Sequence, residues 1–200
     1  MVPPEALAAD YPVVREACKR SNLGTNYGLS AHGLAVRLQI IPAAARELLL
    51  RHREIYRRFW HWIEQTIDSA MLNNRIDASF GWPLIVTAET KSRTLQNFPM
   101  QGNGAEMMRL AAIAATESGL EICGPVHDAF LLCAPVERID EDVALLREIM
   151  RRASLAVTRG LEVRTDAKII RYPDRYSDER GVAMWRHILR LRENLDRVTL

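Results

Sequence analysis

Residues 43–73 set the tightest limit on what this chain can fold into. Leu48, Leu49, Ile55, Phe59, Trp62, Ile63 and Ile67 recur there at three- and four-residue steps. That spacing lines one face of an α-helix. The pattern predicts a single helix over 43–73, stopped by Asn73-Asn74. The aromatic cluster Tyr56, Phe59, Trp60 and Trp62 within it reads as helix packing, with stacking on nucleic-acid bases as the other reading.

Shorter patterns flank it. A helix is expected over 12–26, with Val13, Val14, Ala17 and Cys18 available to pack and Asp10 as a cap before it. Gly24 and Gly28 would admit something close to the backbone. A second short helix over 30–40 stops near Pro42. RIDASFGWPLIV, residues 75–86, reads as a hairpin turning near Gly81. Residues 103–117 predict a buried helix of Met, Ala and Leu. LEICGPVHDAFLLCA, residues 120–134, reads as strand, tight turn, strand. An amphipathic helix over 137–158 turns Ile139, Val143, Leu146, Ile149 and Met150 to one side. A strand follows over 161–172, and 178–195 reads as a charged peripheral helix. The expected class is α+β: an antiparallel sheet with helices packed on it.

With 200 residues there is enough chain for one core, or two small subdomains sharing one. Hydrophobic residues make up 48% and charged residues 26%, the proportions of an ordinary globular protein. The net charge of +2 is too small to hold nucleic acid by bulk attraction, so any such site must be local. Cys18, Cys123 and Cys133 are odd in number, far apart and free of any CxxC pairing. They read as reduced, mostly buried thiols of a cytoplasmic protein. No stretch approaches the ~20 apolar residues of a membrane span, and the N-terminus has no export signal pattern. No membrane partner is therefore expected.

Three separated segments carry chemistry. In REACKRSNLGTNYG, residues 15–28, Arg15, Lys19, Leu23 and Tyr27 stand four apart and so form one slowly drifting helical stripe. Two cations lie at one end and an aromatic ring with a glycine at the other. A nucleoside triphosphate has the same polarity, though a solvated basic face would look alike. In SRTLQNFPMQGNGAEMMRLA, residues 92–111, Arg93, Asn97 and Gln101 repeat the four-residue step around Pro99. Such donors and acceptors could track the nearly sequence-independent acceptors of a DNA minor groove; they could equally decorate a helix N-terminus. In CGPVHDAFLL, residues 123–132, His127 and Asp128 sit between two apolar runs. A hairpin tip there would expose a carboxylate on a rigid support, as a metal ligand or as an ordinary turn aspartate.

Together, and in this order, the segments resemble family A (Pol I-like) DNA polymerases, over roughly residues 12–172. The first is similar to that family's fingers helix, R-x3-K-x7-YG, here Arg15, Lys19 and Tyr27-Gly28. The second resembles its R-x3-N-x-P-x-QG segment, here Arg93, Asn97, Pro99 and Gln101-Gly102. The third resembles its VHDE palm motif, here Val126, His127 and Asp128. The resemblance implies that Arg15 and Lys19 bind the phosphates of a dNTP, with Leu23, Tyr27 and Gly28 by the sugar and the nascent base pair. It implies that Arg93, Asn97 and Gln101 contact primer–template DNA, that Asp128 binds catalytic Mg²⁺, and that His127 lies beside the primer terminus. The implied reaction is attack of the primer 3′-hydroxyl on the α-phosphate of a dNTP, with two Mg²⁺ ions.

The family's second metal-binding aspartate lies in a D-Y/F-S-x-x-E segment upstream of the fingers helix, and the sequence contains no such segment. The resulting expectation is a truncated or split polymerase, with an upstream polymerase chain as a possible partner. Ala129 replaces the glutamate of the palm motif, and Leu23 stands where an aromatic is usual. Two rival readings follow, a single-subunit phage-type RNA polymerase fragment and a non-catalytic DNA-binding remnant. NFPMQGNGAEMM resembles the DNA polymerases better than the first rival. The expected organisation is fingers-like helices over 1–73, a palm-like α+β part over 74–177, and a peripheral helix over 178–200.

Overall fold

A computed structural model describes residue 7 and residues 9–198, with side chains as far as Leu195. Four helices come first: α1 (Pro12–Asn26), α2 (Ala31–Leu38), α3 (Pro42–Ile55) and α4 (Arg57–Asn73). A short hairpin, β1 (Arg75–Asp77) and β2 (Pro83–Ile85), leads into the long helix α5 (Ser92–Glu117). A second hairpin, β3 (Glu121–Val126) and β4 (Ala129–Cys133), is followed by α6 (Ile139–Thr158). A 3₁₀ turn over Glu179–Gly181 then opens α7 (Val182–Val198). The class is α+β. Among the described residues the strands form two separate two-stranded antiparallel sheets, not the one sheet expected.

The predicted helix over 43–73 is two helices. Tyr56 ends α3 and starts α4 with φ −101° and ψ 43°, outside helical values. The aromatic cluster explains the break. His52 lies 4.6 Å from the Tyr56 ring and 5.9 Å from the Trp60 ring, centroid to centroid. Trp60 Nε1 donates to His52 Nδ1 at 3.1 Å. Turning the chain at Tyr56 lets α4 bury Trp60 and Ile63 while Ile55, at the end of α3, stays exposed.

Among the described residues three small clusters stand in place of one large core. Leu34, Ala35 and Ala45 join α2 to α3. Ala70, Val86 and Leu95 join α4 and the first hairpin to α5. Ala111, Ala115, Leu120, Leu146, Ile149 and Ala153 join α5 to α6, with Ile122, Phe130 and Leu132 of the second hairpin packed on them. Helix α1 contributes only Gly24 and Thr25 to buried positions; Val13, Val14, Ala17 and Cys18, expected to pack, are exposed. Asp10 does not cap it: the cap position is Tyr11, without a side-chain hydrogen bond, and Pro12 opens the helix. All three cysteines are exposed rather than buried.

Helix α5 begins at Ser92, eleven residues before the expected start, and runs through Pro99. Proline has no N–H for the fourth residue back and crowds that residue's carbonyl. Packing holds the turn in place: Leu95, four residues before Pro99, is fully buried. Gly102 sits one turn on, where an added Cβ would meet Phe98 at 3.3 Å and Ala78 at 3.4 Å. Its bare backbone thus seats the turn of the first hairpin against the helix.

Residues 161–172 form no strand. Side chains of α6 take the place of a neighbouring strand's backbone: Ser154 Oγ accepts from Val163 N at 3.1 Å, and Arg147 donates to Thr165 O at 2.9 Å. Beside this segment Glu148 accepts from Arg151 and Arg152, which hold its carboxyl down to about 2. The C-terminal helix α7 leaves Met184, Trp185, Ile188 and Leu191 of its apolar side exposed. Among the described residues no helix is long and apolar enough to cross a membrane.

Candidate functional site

Arg15, Lys19 and Leu23 lie on α1 at successive four-residue steps, so the helix places them on one face. All three are exposed. The neighbouring Arg20 is neutralised by Glu16 at 2.9 Å; among the described residues Arg15 and Lys19 have no such partner. Two unpaired cations one helical turn apart are suited to an anion of several oxygens.

Past Asn26 the helix gives way to Tyr27, whose side chain is 42% exposed, and to Gly28 at φ +73°. Here the first and second segments meet. Arg93 Nη2 donates to the Gly28 carbonyl oxygen at 2.7 Å. Gln96 Nε2 donates to the Asn26 carbonyl oxygen, also at 2.7 Å. A Cβ on Gly28 would lie 3.0 Å from Gln96 Oε1 and 3.4 Å from Arg93 Cγ. The C-terminal end of α1 is thus clamped to the start of α5 through one orphan helix carbonyl, that of Asn26, and the Gly28 carbonyl just beyond the helix. Gln96 was not singled out from the sequence. Its signal is position, three residues after Arg93 and so on the same face of α5.

Arg93 uses one arm of its fork on Gly28 and keeps the remaining N–H donors for other acceptors. Asn97 is half-buried and Gln101 exposed, and among the described residues neither side chain has a hydrogen-bond partner. The row expected along this segment therefore lies on helix α5, beginning at the clamp. One turn beyond Gly102, buried Glu106 accepts from Arg109 Nε at 2.9 Å through Oε2, while its Oε1 has no partner.

The third segment stands apart. Val126 pairs with Ala129 across the second hairpin, leaving His127 and Asp128 as a two-residue turn. His127 has φ +57°, a region that costs a residue with a Cβ roughly 1–2 kcal/mol. Two-residue hairpin turns commonly require a positive φ, so the angle follows from the tight turn. Ile122, Phe130 and Leu132 anchor the strands on α5 and α6, so the tip has a firm base. Among the described residues His127 and Asp128 make no side-chain hydrogen bond or ion pair, and none joins them to the α1–α5 clamp. An exposed carboxylate without a protein partner fits Mg²⁺ as one ligand, since that ion takes one or two carboxylates and completes its shell with water and phosphate.

Residues 3–170 match the family described as DNA polymerase family A. The chain is 34% identical over 176 residues to the thermostable DNA polymerase I of Thermus thermophilus, covering 81% of this chain and 21% of that protein. It is 31% identical to the thermostable DNA polymerase I of Thermus aquaticus, with the same coverage. It thus spans about a fifth of the length of these relatives. The fold is similar to the POL domain of Pol1 from M. smegmatis, in complex with DNA primer-template and dNTP, with a TM-score of 0.62 and 25% identity. That likeness covers 71% of this chain and 28% of the other. Because the match runs from α1 through the second hairpin and beyond, and is not confined to three short segments, the chain belongs to DNA polymerase family A.

Proposed function

We propose that this chain provides the nucleotide-binding helix and one metal-binding carboxylate of an enzyme for template-directed DNA synthesis. The clamp between Gly28 and Arg93 is the observation that carries the reading. It joins the helix that would hold a triphosphate to the helix that would follow the primer–template, so both ligands meet on one frame. The similarity to a Pol1 domain in complex with DNA primer-template and dNTP supports the same pairing of ligands.

In this reading Arg15 and Lys19 bind the phosphates of the incoming dNTP and orient its α-phosphate. Leu23, Tyr27 and Gly28 bound the sugar and the new base pair. Asn97, Gln101 and the free arm of Arg93 contact the minor-groove side of the duplex, where the acceptors are nearly the same for every base pair. His127 lies by the primer terminus. Asp128 holds Mg²⁺, which when bound neutralises charge on the attacking and leaving oxygens. A second carboxylate comes from the upstream part of the polymerase, on the same chain or on a partner. That the relatives are named DNA polymerase I supports reading dNTP rather than NTP as the substrate.

The test is Mg²⁺-dependent primer extension and primer–template binding, with Asp128→Ala as control. The chain alone is expected to bind primer–template without extending it. Adding the upstream polymerase segment is expected to restore extension, and Asp128→Ala to lower it by at least ~10³-fold, since removal of a metal ligand withdraws several kcal/mol of transition-state stabilisation. Extension that survives in Asp128→Ala would overturn the assignment.

A further inference from the structure

Cys123 and Cys133 lie on the outer face of the second hairpin, and nothing in the polymerase reading uses them. Strand alternation puts them there. Ile122, Phe130 and Leu132 pack on the α5–α6 cluster, so Glu121, Cys123, Leu131 and Cys133 face outward and are exposed. In the ladder Glu121 is directly opposite Cys133. The next pairs are Ile122 with Leu132 and Gly124 with Leu131, which leaves Cys123 as the extra residue of a bulge. One carboxylate oxygen and two sulfurs come within 4.8 Å of one another. Among the described residues this is the one group of three such donors. Both thiols are free, and among the described residues the Glu121 carboxylate has no ion pair.

We propose that Glu121, Cys123 and Cys133 form a site for a soft divalent cation of the zinc class. Two thiolates and a carboxylate are donors that zinc accepts. With Zn–S bonds of about 2.3 Å in a tetrahedron, the sulfurs stand about 3.8 Å apart. Side-chain rotation is enough to reach that from the present spacing. Three protein ligands leave a fourth position for water. Binding releases the two thiol protons and changes no oxidation state.

The site is separate from the one at Asp128 in both place and chemistry. Each cysteine is five residues from Asp128 along the chain, roughly 15 Å in an extended strand. Thiolates are soft ligands that Mg²⁺ does not favour, whereas Asp128 offers only hard oxygen. A cation here ties β3 to β4 at the end of the hairpin far from the His127-Asp128 turn. It thereby stiffens the support on which Asp128 stands.

The experiment uses the full chain, fully reduced, titrated with Co²⁺ in the presence of excess Mg²⁺. The expected result is a set of visible bands from tetrahedral cobalt, with a sulfur-to-cobalt charge-transfer band, removed by one equivalent of Zn²⁺. Zn²⁺ is expected to shield two of the three thiols of the unmutated chain from a thiol reagent. Cys123→Ser and Cys133→Ser each lower Co²⁺ affinity at least tenfold, whereas Cys18→Ser and Asp128→Ala leave it unchanged. Absence of the bands would overturn the proposal. So would bands that persist in both serine variants at Cys123 and Cys133, or a Cys123–Cys133 disulfide that forms in air despite saturating Zn²⁺. The readout is metal spectroscopy, so it stands whether or not the chain extends a primer.

Discussion

At Gly28 a single backbone angle holds two parts of the site together. Its φ of +73° is open to glycine, and its carbonyl accepts the Arg93 guanidinium at 2.7 Å. Gly28→Ala adds a Cβ in a left-handed conformation and places it 3.0 Å from Gln96 Oε1. The expected loss is about 1–2 kcal/mol of stability, read by urea denaturation. Primer–template affinity should fall with it if the clamp frames the site. Leu23 gives a second residue-scale prediction. It is 42% exposed on the stripe below Arg15 and Lys19, at the level where the sugar would lie. Leu23→Phe is expected to change the ratio of dideoxy- to deoxynucleotide incorporation by the reconstituted polymerase. An unchanged ratio would remove Leu23 from the sugar contact.

Among the elements, α1, α3 and α4 are joined through His52. Its Nε2 lies 2.9 Å from Asn22 Oδ1, and its Nδ1 accepts from Trp60 Nε1. These partners define a neutral ring, with Nε2 as the donor and Nδ1 as the acceptor. Burial lowers its affinity for a proton below the ordinary value of 6.5. The unfolded chain therefore binds this proton first as pH falls. Stability from this contact is complete above 6.5 and declines as pH drops below it. Thermal unfolding at about pH 7.5 and about pH 5.5 should show a lower Tm at the acid end, and His52→Gln should reduce that difference. The break at Tyr56 belongs to the same contact, since a straight helix over 43–73 could not fold Trp60 back onto His52.

For the molecule as a whole, the accessible surface is 15587 Å². A compact monomer of 22.7 kDa would expose about 9,500 Å². The three clusters are small and strung along the chain, so much apolar surface stays open, including Trp82, Val126, Leu131 and Trp185. Small-angle scattering of the isolated chain should give a radius of gyration well above the roughly 16 Å of a compact domain this size. A value at the compact limit would mean that the helices close up further in solution.

Local rules in the sequence determined most helices, both hairpins and the α+β class, because apolar spacing and turn residues act within a few positions. The four-residue steps of Arg15, Lys19 and Leu23 and of Arg93, Asn97 and Gln101 were legible for the same reason. Where competition between distant groups decided the outcome, local rules failed. The aromatic packing of His52 and Trp60 split one periodic run into two helices. Burial of Leu95 and the seat for Ala78 at Gly102 carried α5 through Pro99. Residues 161–172 have the character of a strand, but among the described residues no strand lies beside them, and the side chains of Ser154 and Arg147 bond Val163 N and Thr165 O instead. The clamp of Gly28 by Arg93 and the meeting of Glu121, Cys123 and Cys133 across a bulged ladder depend on register and helix placement. No spacing along the chain encodes these by itself, because the residues involved become neighbours only when their elements pack.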